Sequence, residues 1–398
     1  MSEADDPLDV LVIGGGIHGA GVLQAAAAAG HSATMLEASA LARGTSSRSS
    51  KLIHGGLRYL ETAQLSLVHE SLTERAILLR IASHLVHLVP FMIPIYRHTS
   101  RRPWQIRVGL SLYALLGNLR RTARFETLPR AQWDALDGLE TDGLQAVFRY
   151  HDGQTDDARL VRAVVASARE LGARLRCPAE FLAARRESAG WRVRYRSGDA
   201  ERECTCRTLV NAGGPWVDRI QGALEPSLPR PGVELVAGAH VQVPGTLERG
   251  IYYTEAPRDR RAVFVMPWKG QTLVGTTETP YSGDPALVRP TDGEVEYLLE
   301  TLTAYFPGHA TEATDAWAGL RVLPRGEGRA FDRPREVTLV RDDERHPTCV
   351  SIYGGKLTGY RSTAQKVMHA LSKTLPAATR RADTRTLVLP DPGPDLPA

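Results

Sequence analysis

Residues 9–19 read DVLVIGGGIHG and decide the fold, because a short apolar run leads directly into a glycine-rich turn. An alanine-rich stretch with a helical pattern then runs to about Ala29, where Gly30 predicts its end. A second apolar run follows and ends in an acid, Glu37. This order of strand, turn, helix, strand and acid is the dinucleotide-binding fingerprint and predicts a Rossmann-like α/β domain. Its glycines are Gly14, Gly16 and Gly19.

Each part of the fingerprint has a physical reason. The glycines leave room for a tight turn and for close approach of a pyrophosphate, which the positive end of the helix dipole attracts. Glu37 can accept hydrogen bonds from the ribose hydroxyls of an adenosine. An acid at this position favours NAD or FAD over NADP, whose ribose carries a phosphate.

The segment after the fingerprint is dense in hydroxyls and glycines. Residues 43–60 read RGTSSRSSKLIHGGLRYL. Small donors and exposed backbone N–H groups suit an extended cofactor that continues beyond the first helix, and simple NAD-binding domains do not need such a segment. The sequence therefore favours FAD over NAD.

The composition is that of a soluble globular protein of 398 residues, with 42% hydrophobic and 24% charged residues. A net charge of +4 and the lack of a nucleic-acid-binding module predict no nucleic-acid partner. Four scattered cysteines argue against a disulfide framework, and no metal site is expected. The N-terminus has no pattern of a cleavable leader, and no stretch is apolar enough to span a bilayer, so we expect a cytoplasmic protein.

The stretch at 44–60 resembles the FAD-dependent, respiratory glycerol-3-phosphate dehydrogenases, within the D-amino-acid-oxidase-like class of flavoproteins. Further blocks resemble this family in its own order: DDARL at 156–160, VNAGGPW at 210–216, VFVMPW at 263–268, GTTE at 275–278, GLR at 319–321 and GGKLT at 354–358. The family has GTTD where this chain has GTTE. The resemblance covers about residues 8–370 and makes FAD the expected cofactor.

The resemblance implies a discontinuous α/β fold, with a Rossmann-like FAD-binding domain and a mixed, largely antiparallel-sheet substrate domain. The FAD-binding domain would collect 1–80, 145–225 and 315–375, and the substrate domain 81–144 and 226–314. We expect the proline-rich tail, 376–398, to be flexible. Full-length members of the family continue into a helical C-terminal domain, which we expect to be absent from this chain.

The family oxidises the C2 hydroxyl of sn-glycerol 3-phosphate to the ketone of dihydroxyacetone phosphate, with hydride transfer to N5 of FAD and electrons passed to a quinone. A phosphate needs cations that stay charged, and guanidinium groups match its oxygens. The positions that match substrate contacts of the family are Arg58, Tyr59, Arg321 and Lys356. The expected catalytic residues are Arg321, His240 and Lys356.

The resemblance also implies a set of cofactor contacts. They are Gly14, Gly16, Gly19, Glu37, Thr45, Ser46, Ser47, Lys51, His54, Gly55, Gly213, Gly355, Lys356, Leu357 and Thr358. In this flavoprotein class the helix that follows the turn at 354–358 points its N-terminus at the N1/C2 carbonyl edge of the flavin. Negative charge develops there on reduction, so a helix dipole and a lysine favour it.

The identity of the proton acceptor stays open. His240 matches a family histidine on the strand that enters the substrate domain, and an imidazole can accept a hydroxyl proton near neutral pH. A purely structural strand histidine is an equal alternative. His54 is another candidate, although its place in the flavin segment favours contact with the cofactor.

Two other functions are also open. A related FAD oxidase or dehydrogenase could act on another small anionic hydroxy or amino compound, since two of the cations could hold a carboxylate. A non-catalytic flavin-binding sensor is the third hypothesis, against which the cations Arg58, Arg321 and Lys356 argue. A homodimer is a candidate assembly.

Residues 101–124 form an arginine-rich stretch without an acid, RRPWQIRVGLSLYALLGNLRRTAR. At helical spacing one stripe contains Trp104, Val108, Leu112, Leu115, Leu116 and Leu119. A basic amphipathic helix of this kind can lie in a membrane interface, where a quinone dissolves. The alternative is that the same stripe packs against the substrate domain.

Overall fold

The computed structural model of the chain describes residues 8–324, 337–393 and 396. Among these, the α-helices are α1 (Ile17–Ala29), α2 (Leu65–Ile81), α3 (Pro103–Leu116), α4 (Asp157–Glu170), α5 (Val217–Gly222), α6 (Asp292–Tyr305) and α7 (Tyr360–Leu371). The strands are β1 (Leu8–Ile13), β2 (Ala33–Leu36), β3 (Leu52–Ile53), β4 (Val86–Tyr96), β5 (Glu126–Thr127), β6 (Leu144–Thr155), β7 (Arg174–Arg176), β8 (Glu180–Glu187), β9 (Gly190–Ser197), β10 (Ala200–Asn211), β11 (Leu224–Glu225), β12 (Val233–Val243), β13 (Ile251–Glu255), β14 (Ala262–Trp268), β15 (Gln271–Gly275), β16 (Thr279–Tyr281), β17 (Asp315–Pro324), β18 (Thr338–Arg341) and β19 (Cys349–Tyr353). The parts of the predicted domains and tail at 1–7, 325–336, 394–395 and 397–398 lie outside the described residues.

The first sheet has a parallel centre in the order β7, β2, β1, β10 and β19. Strand β1 lies between β2 and β10, with Ile13 opposite both Leu36 and Asn211. Its apolar run is buried because helices and other apolar side chains pack on both faces of the sheet. An antiparallel meander of β8, β9 and the first half of β10 extends this sheet. The Rossmann-like prediction is confirmed.

Helix α1 is buried almost all around, because it is packed by α4 and α7 as well as by the sheet. Its alanines and glycines permit this closeness: a Cβ on Gly21 would lie 2.8 Å from the Tyr360 ring. The helix ends as predicted at Gly30, whose φ of 100° is left-handed and whose N–H donates to the carbonyls of Ala26 and Ala27.

The second sheet is antiparallel except where β13 runs parallel to β4. Its longest pairings join β4 to β6 and β12 to β17. Three apolar clusters flank this sheet, and α6 packs on one face. The expected largely antiparallel substrate domain is therefore present.

The second sheet includes two strands that the sequence assigned to the FAD-binding domain. Strand β6 begins at Leu144 and pairs with β4 of the second sheet. The sequence-based boundary placed the start of an FAD-binding segment at residue 145, which is within this strand. Strand β17 pairs with β12 from Asp315 to Pro324, within the predicted piece 315–375. Strand pairing between distant segments produces this difference, and the local motifs contain no signal for it.

The described residues 376–393 of the tail contact the rest of the protein. Leu389 is buried, and its N–H donates to the carbonyl of Ile81 at 2.7 Å. The N–H of Arg381 donates to the carbonyl of Ala28 at 2.8 Å. The prolines remove backbone donors but leave these contacts intact, so the tail closes the outer side of α1.

Two buried ion pairs hold α2, one to β6 of the second sheet and the other to α7. Arg75 pairs with Asp152 of β6, and the hydroxyl of Tyr113 also donates to this carboxylate at 2.7 Å. Arg361 of α7 pairs with Glu74, with Nε donating at 2.8 Å. All these ion-pair side chains are at most 4% exposed, so each pair compensates charges that water cannot reach.

Helix α3 has two apolar faces, one buried and one exposed to solvent. Its buried face consists of Ile106, Leu110, Tyr113 and Ala114. The exposed apolar residues are Trp104 (66%), Val108 (60%), Leu115 (59%) and, beyond the helix end, Leu119 (59%). Most of the predicted stripe is therefore on the surface and does not pack against the substrate domain, while Leu112 and Leu116 are half-buried. Within the described residues, no helix has the length and apolarity needed to cross a bilayer.

Helices α2 and α7 are joined by one buried ion pair, Arg361–Glu74, and one exposed pair, Lys366–Glu70, which together provide a stability test. Replacing Arg361 by Met leaves Glu74 buried without a counter-charge, which should cost about 3–5 kcal/mol. Replacing Lys366 by Met breaks the exposed pair with Glu70 between the same helices, which should cost about 0–1 kcal/mol. We expect the unfolding temperature of the holoprotein to fall much further for Arg361→Met than for Lys366→Met. Equal decreases would contradict the assignment.

Candidate functional site

A cavity of about 760 Å³ lies between the two sheets. This volume is within the range of cofactor and ligand sites, about 300–1,000 Å³. It is lined by the turn after β1, by most of residues 43–59, by parts of β12 and β17, and by the turn before α7. Residues 319–321, 354–358 and the fingerprint thus meet in one place.

The glycines of the fingerprint permit backbone contacts that a side chain would prevent. A Cβ on Gly14 would lie 2.7 Å from the carbonyl oxygen of Ala212, and Gly14 has a φ of +105°. A Cβ on Gly19 would lie 1.9 Å from the carbonyl oxygen of Gly14. Gly14 and Gly16 line the cavity, whereas Gly19 packs behind the turn.

Glu37 follows β2 directly and lines the cavity. Its Oε2 accepts from the N–H of Gly15 at 2.6 Å, and its Oε1 accepts from the N–H of Ser39 at 2.9 Å. The carboxylate therefore fixes the turn and retains lone pairs for a ribose hydroxyl.

The buried carboxylate of Asp157 anchors the segment 45–51. It accepts from the N–H and hydroxyl of Ser49, and from Nζ of Lys51 at 2.8 Å. Burial raises the pKa of Asp157, and the charge of Lys51 opposes that shift. Lys51 is 4% exposed and does not line the cavity, because this ion pair holds it behind the segment.

Two hydroxyls of this segment connect it to other elements. The Oγ of Ser46 accepts from the N–H of Ile17, the first residue of α1, at 3.0 Å. It thus replaces the side-chain cap that Gly16, which has no side chain, cannot provide. The hydroxyl of Thr45 donates to the carbonyl of Leu320 on β17 at 2.6 Å. The segment therefore joins the fingerprint to the second sheet.

The remaining predicted cofactor contacts divide into two groups. Those that line the cavity are Thr45, Ser46, His54, Gly213, Gly355, Lys356, Leu357 and Thr358. Those that lie behind its wall, in addition to Gly19 and Lys51, are Ser47 and Gly55. The N–H of Gly55 donates to the hydroxyl of Tyr113 at 2.9 Å, so this residue positions the turn and does not face the cavity.

The turn at 354–358 precedes α7, which begins at Tyr360. Gly355 has a φ of +104°, and a Cβ there would lie 2.1 Å from Nε2 of His18. Burial lowers the pKa of His18 to about 4, so its imidazole is neutral at physiological pH. The contact between this turn and α1 is therefore made by backbone atoms of the turn and the uncharged imidazole of His18.

Two of the predicted substrate cations meet on one aromatic ring. The Nζ of Lys356 lies 3.7 Å from the ring centroid of Tyr59, and Cζ of Arg58 lies 4.9 Å from it. Tyr59 is 5% exposed, and all three residues line the cavity. The ring's negative face favours cations at these distances, so Tyr59 concentrates positive charge at the wall.

Arg321 reaches the cavity from β17. Its Nη2 donates to the hydroxyl of Thr276 at 3.0 Å, and its Nη1 lies 3.7 Å from Oε1 of Glu278. Gly238 on the neighbouring strand makes room, because a Cβ there would lie 2.8 Å from Nη2 of Arg321. The guanidinium is thus held in a defined orientation.

Arg261, which no sequence motif indicated, also lines the cavity. Its Nη2 donates to Oε2 of Glu278 at 2.9 Å. The available signal was its place one residue before the start of β14, next to the block VFVMPW, but arginine is too frequent in this chain for that position to stand out.

His240 lies on β12 at the cavity and is 1% exposed. Its Nε2 is 2.9 Å from Oγ of Ser50, and its ring stacks on Trp317 with centroids 5.9 Å apart. Burial first, and then the charges of Arg321 and Lys51, lower the pKa of His240 to about 3. The imidazole is therefore neutral at physiological pH, and in the absence of substrate it is a weak proton acceptor.

Comparison of this chain with known proteins agrees with this geometry. The family described as FAD dependent oxidoreductase matches residues 9–361. The fold and the cavity define the class: this is an FAD-dependent oxidoreductase, and its cofactor is FAD. Within that class the chain belongs to the family of the glycerol-3-phosphate dehydrogenases, as the following relatives show.

A glycerol-3-phosphate dehydrogenase of Pseudomonas aeruginosa is 38% identical, over 99% of this chain and 78% of the relative. A D-erythritol 1-phosphate dehydrogenase of Brucella abortus is 35% identical, over 92% of this chain and 74% of the relative. The solved glycerol-3-phosphate dehydrogenase of Bacillus halodurans, complexed with FAD, has a TM-score of 0.74 and 26% identity, and covers 97% of this chain and 68% of its own.

The fingerprint glycines provide a direct test of the cofactor site. Gly14→Ala places a Cβ 2.7 Å from a backbone oxygen at a left-handed φ, so we expect loss of at least about nine-tenths of bound FAD after desalting. Gly109→Ala on α3 is the matched control, because nothing lies within 4 Å of its Cβ. Released flavin per mole of protein is the measurement. Full FAD retention by Gly14→Ala would contradict the assigned site.

Proposed function

We propose that this enzyme oxidises sn-glycerol 3-phosphate to dihydroxyacetone phosphate. The observation that carries the proposal is the convergence of Arg58 and Lys356 on the Tyr59 ring, in the same cavity as the fingerprint. Arg321 adds a third cation from β17 of the second sheet. The similarity to relatives named as glycerol-3-phosphate dehydrogenases gives independent support.

The chain's own groups would bind and orient the substrate. When bound, FAD supplies the acceptor for the hydride from C2. Arg58, Arg321 and Lys356 would hold the phosphate through charge-assisted hydrogen bonds. Bound FAD and substrate would displace water from the cavity and so strengthen these contacts.

His240 would accept the proton of the C2 hydroxyl. Its neutral imidazole is the form that a base requires, and Oγ of Ser50 fixes the ring through Nε2. A substrate phosphate near Arg321 would offset the positive charge that opposes protonation, so the pKa of His240 should rise when substrate binds.

A phosphorylated four-carbon polyol is a second candidate substrate. The relative from Brucella abortus is named a D-erythritol 1-phosphate dehydrogenase, and its identity of 35% is close to that of the other relatives. The same cations would hold either phosphate. A substrate panel must therefore contain both compounds.

Electrons would pass from the flavin to a quinone in the membrane. The exposed apolar residues of α3, beside a run of arginines, support peripheral contact with a bilayer. Because a quinone dissolves in the bilayer, such contact would bring the enzyme to its acceptor.

The proposed function is tested by dye reduction with glycerol 3-phosphate, erythritol 1-phosphate, glycerol, lactate and amino acids. We expect the highest kcat/KM with glycerol 3-phosphate. Arg58→Ala, Arg321→Ala and Lys356→Ala should each lower kcat/KM by about 1.5–3 kcal/mol, or about 10- to 150-fold, with FAD retained. Arg159→Ala, which removes an exposed surface cation, should leave it unchanged. His240→Ala should lower kcat more than it raises KM.

Unchanged efficiency in all three cation variants would contradict the phosphate assignment. Faster turnover of an amino acid or of lactate than of any phosphorylated polyol would contradict the substrate assignment.

Membrane contact is tested by co-sedimentation with anionic vesicles. Leu115→Glu places a carboxylate on the exposed apolar face of α3, so we expect bound protein to fall about tenfold or more. Ala304→Glu adds the same charge on the exposed side of α6 and should have no effect. Wild-type protein that stays in the supernatant at low salt would remove this proposal.

A further inference from the structure

We propose that Glu278 is a positioning residue that holds the guanidinium groups of Arg261 and Arg321 toward one anion, and that Arg261 is a further phosphate-binding residue. The inference rests on the proposed function, because it concerns the phosphate of the same substrate. Arg261 and Glu278 lie outside the motifs GLR and GGKLT, so the inference adds two residues to the proposed site.

The carboxylate of Glu278 lies between the two arginines. Its Oε2 accepts from Nη2 of Arg261 at 2.9 Å, and its Oε1 lies 3.7 Å from Nη1 of Arg321. The Glu278 side chain is 4% exposed, and those of the arginines are 23% and 20% exposed. The carboxylate is therefore shielded from water, while both guanidinium groups are open to the cavity that they line.

Arg261 has the features of a prepared binding group. Its Nε is buried and has no hydrogen-bond acceptor among the described residues. Its backbone closes a turn in which the N–H of Ala256 donates to its carbonyl at 2.8 Å, and its own N–H donates to Oδ1 of Asp259 at 3.1 Å. The side chain thus leaves a fixed point and has donor capacity left for an anion.

The charges explain why the acid is needed. Two guanidinium groups that share a cavity wall repel each other, and this repulsion is stronger where water is excluded. A carboxylate in contact with both groups reduces this repulsion and orients both guanidinium planes. Without it the two cations would bind an anion more tightly but in a less defined orientation, which favours binding over turnover.

The test measures affinity for inorganic phosphate separately from turnover. Phosphate is titrated into the FAD-loaded enzyme without substrate, and the change in flavin absorbance gives Kd. Glu278→Gln keeps the side-chain shape and removes the charge, so we expect phosphate to bind about three- to tenfold more tightly. Arg261→Gln removes one cation, so we expect binding about tenfold weaker.

Two controls accompany these variants. Glu296→Gln removes an equal charge from an exposed pair with Arg258, and should change Kd less than about twofold because water screens that site. Glu278→Asp retains the charge with a side chain one methylene shorter, and should keep Kd within about threefold of wild type.

Turnover distinguishes positioning from simple charge balance. We expect Glu278→Gln to lower kcat for glycerol 3-phosphate about tenfold, since Arg321 loses its fixed orientation, while KM falls or stays constant. Arg261→Gln should mainly raise KM.

Shifts of Kd in the same direction for Glu278→Gln and Arg261→Gln, or shifts below twofold in both, would overturn the inference. If Glu278→Gln fails to fold or to retain FAD, an unchanged Kd in Arg261→Gln overturns it alone. If no variant or wild-type protein oxidises glycerol 3-phosphate, the proposed function fails, and the phosphate titrations still decide the role of Glu278.

Discussion

The buried ion pair between Asp157 and Lys51 is the contact on which the site depends. Asp157 begins α4 and holds the segment 45–51 against the first domain. Removing either charge would leave the other buried without compensation, and the segment would lose its anchor. That segment carries Ser46, which contacts the first turn of α1, and Ser50, which contacts His240. One carboxylate therefore connects the cofactor turn to the proposed base.

The second constraint is the concentration of positive charge at the wall between the sheets. A single aromatic ring, that of Tyr59, carries two cations on the side of the 354–358 turn, and a single carboxylate, that of Glu278, serves two on the side of β17. These arrangements limit the repulsion between cations in the absence of an anion. In the proposed function, an incoming phosphate would meet donors that are already oriented, so little binding energy would be spent on ordering them.

Part of the site followed directly from local sequence. The fingerprint from Gly14 to Glu37 depends on contacts within one strand–helix–strand unit, so spacing alone predicted its strands, its helix end at Gly30 and a dinucleotide-binding role. The choice of FAD over NAD came from residues 43–60 and from the family resemblance. The cations Arg58, Arg321 and Lys356 were recognised because each lies in a short motif. Lys51 has an equally clear motif position, but the sequence could not show that its ammonium points to Asp157 and away from the cavity.

The sequence by itself determined the FAD-binding α/β fold and the residue types available for an anion, because glycine spacing and charged motifs act locally. Only the tertiary structure decided that β6 and β17 belong to the second sheet, that Arg261 shares Glu278 with Arg321, and that the apolar residues of α3 are exposed. Each of these depends on which distant segment packs against the residue. The packing partner of each segment is determined by burial and strand pairing across the whole chain, and a local sequence pattern does not contain that information.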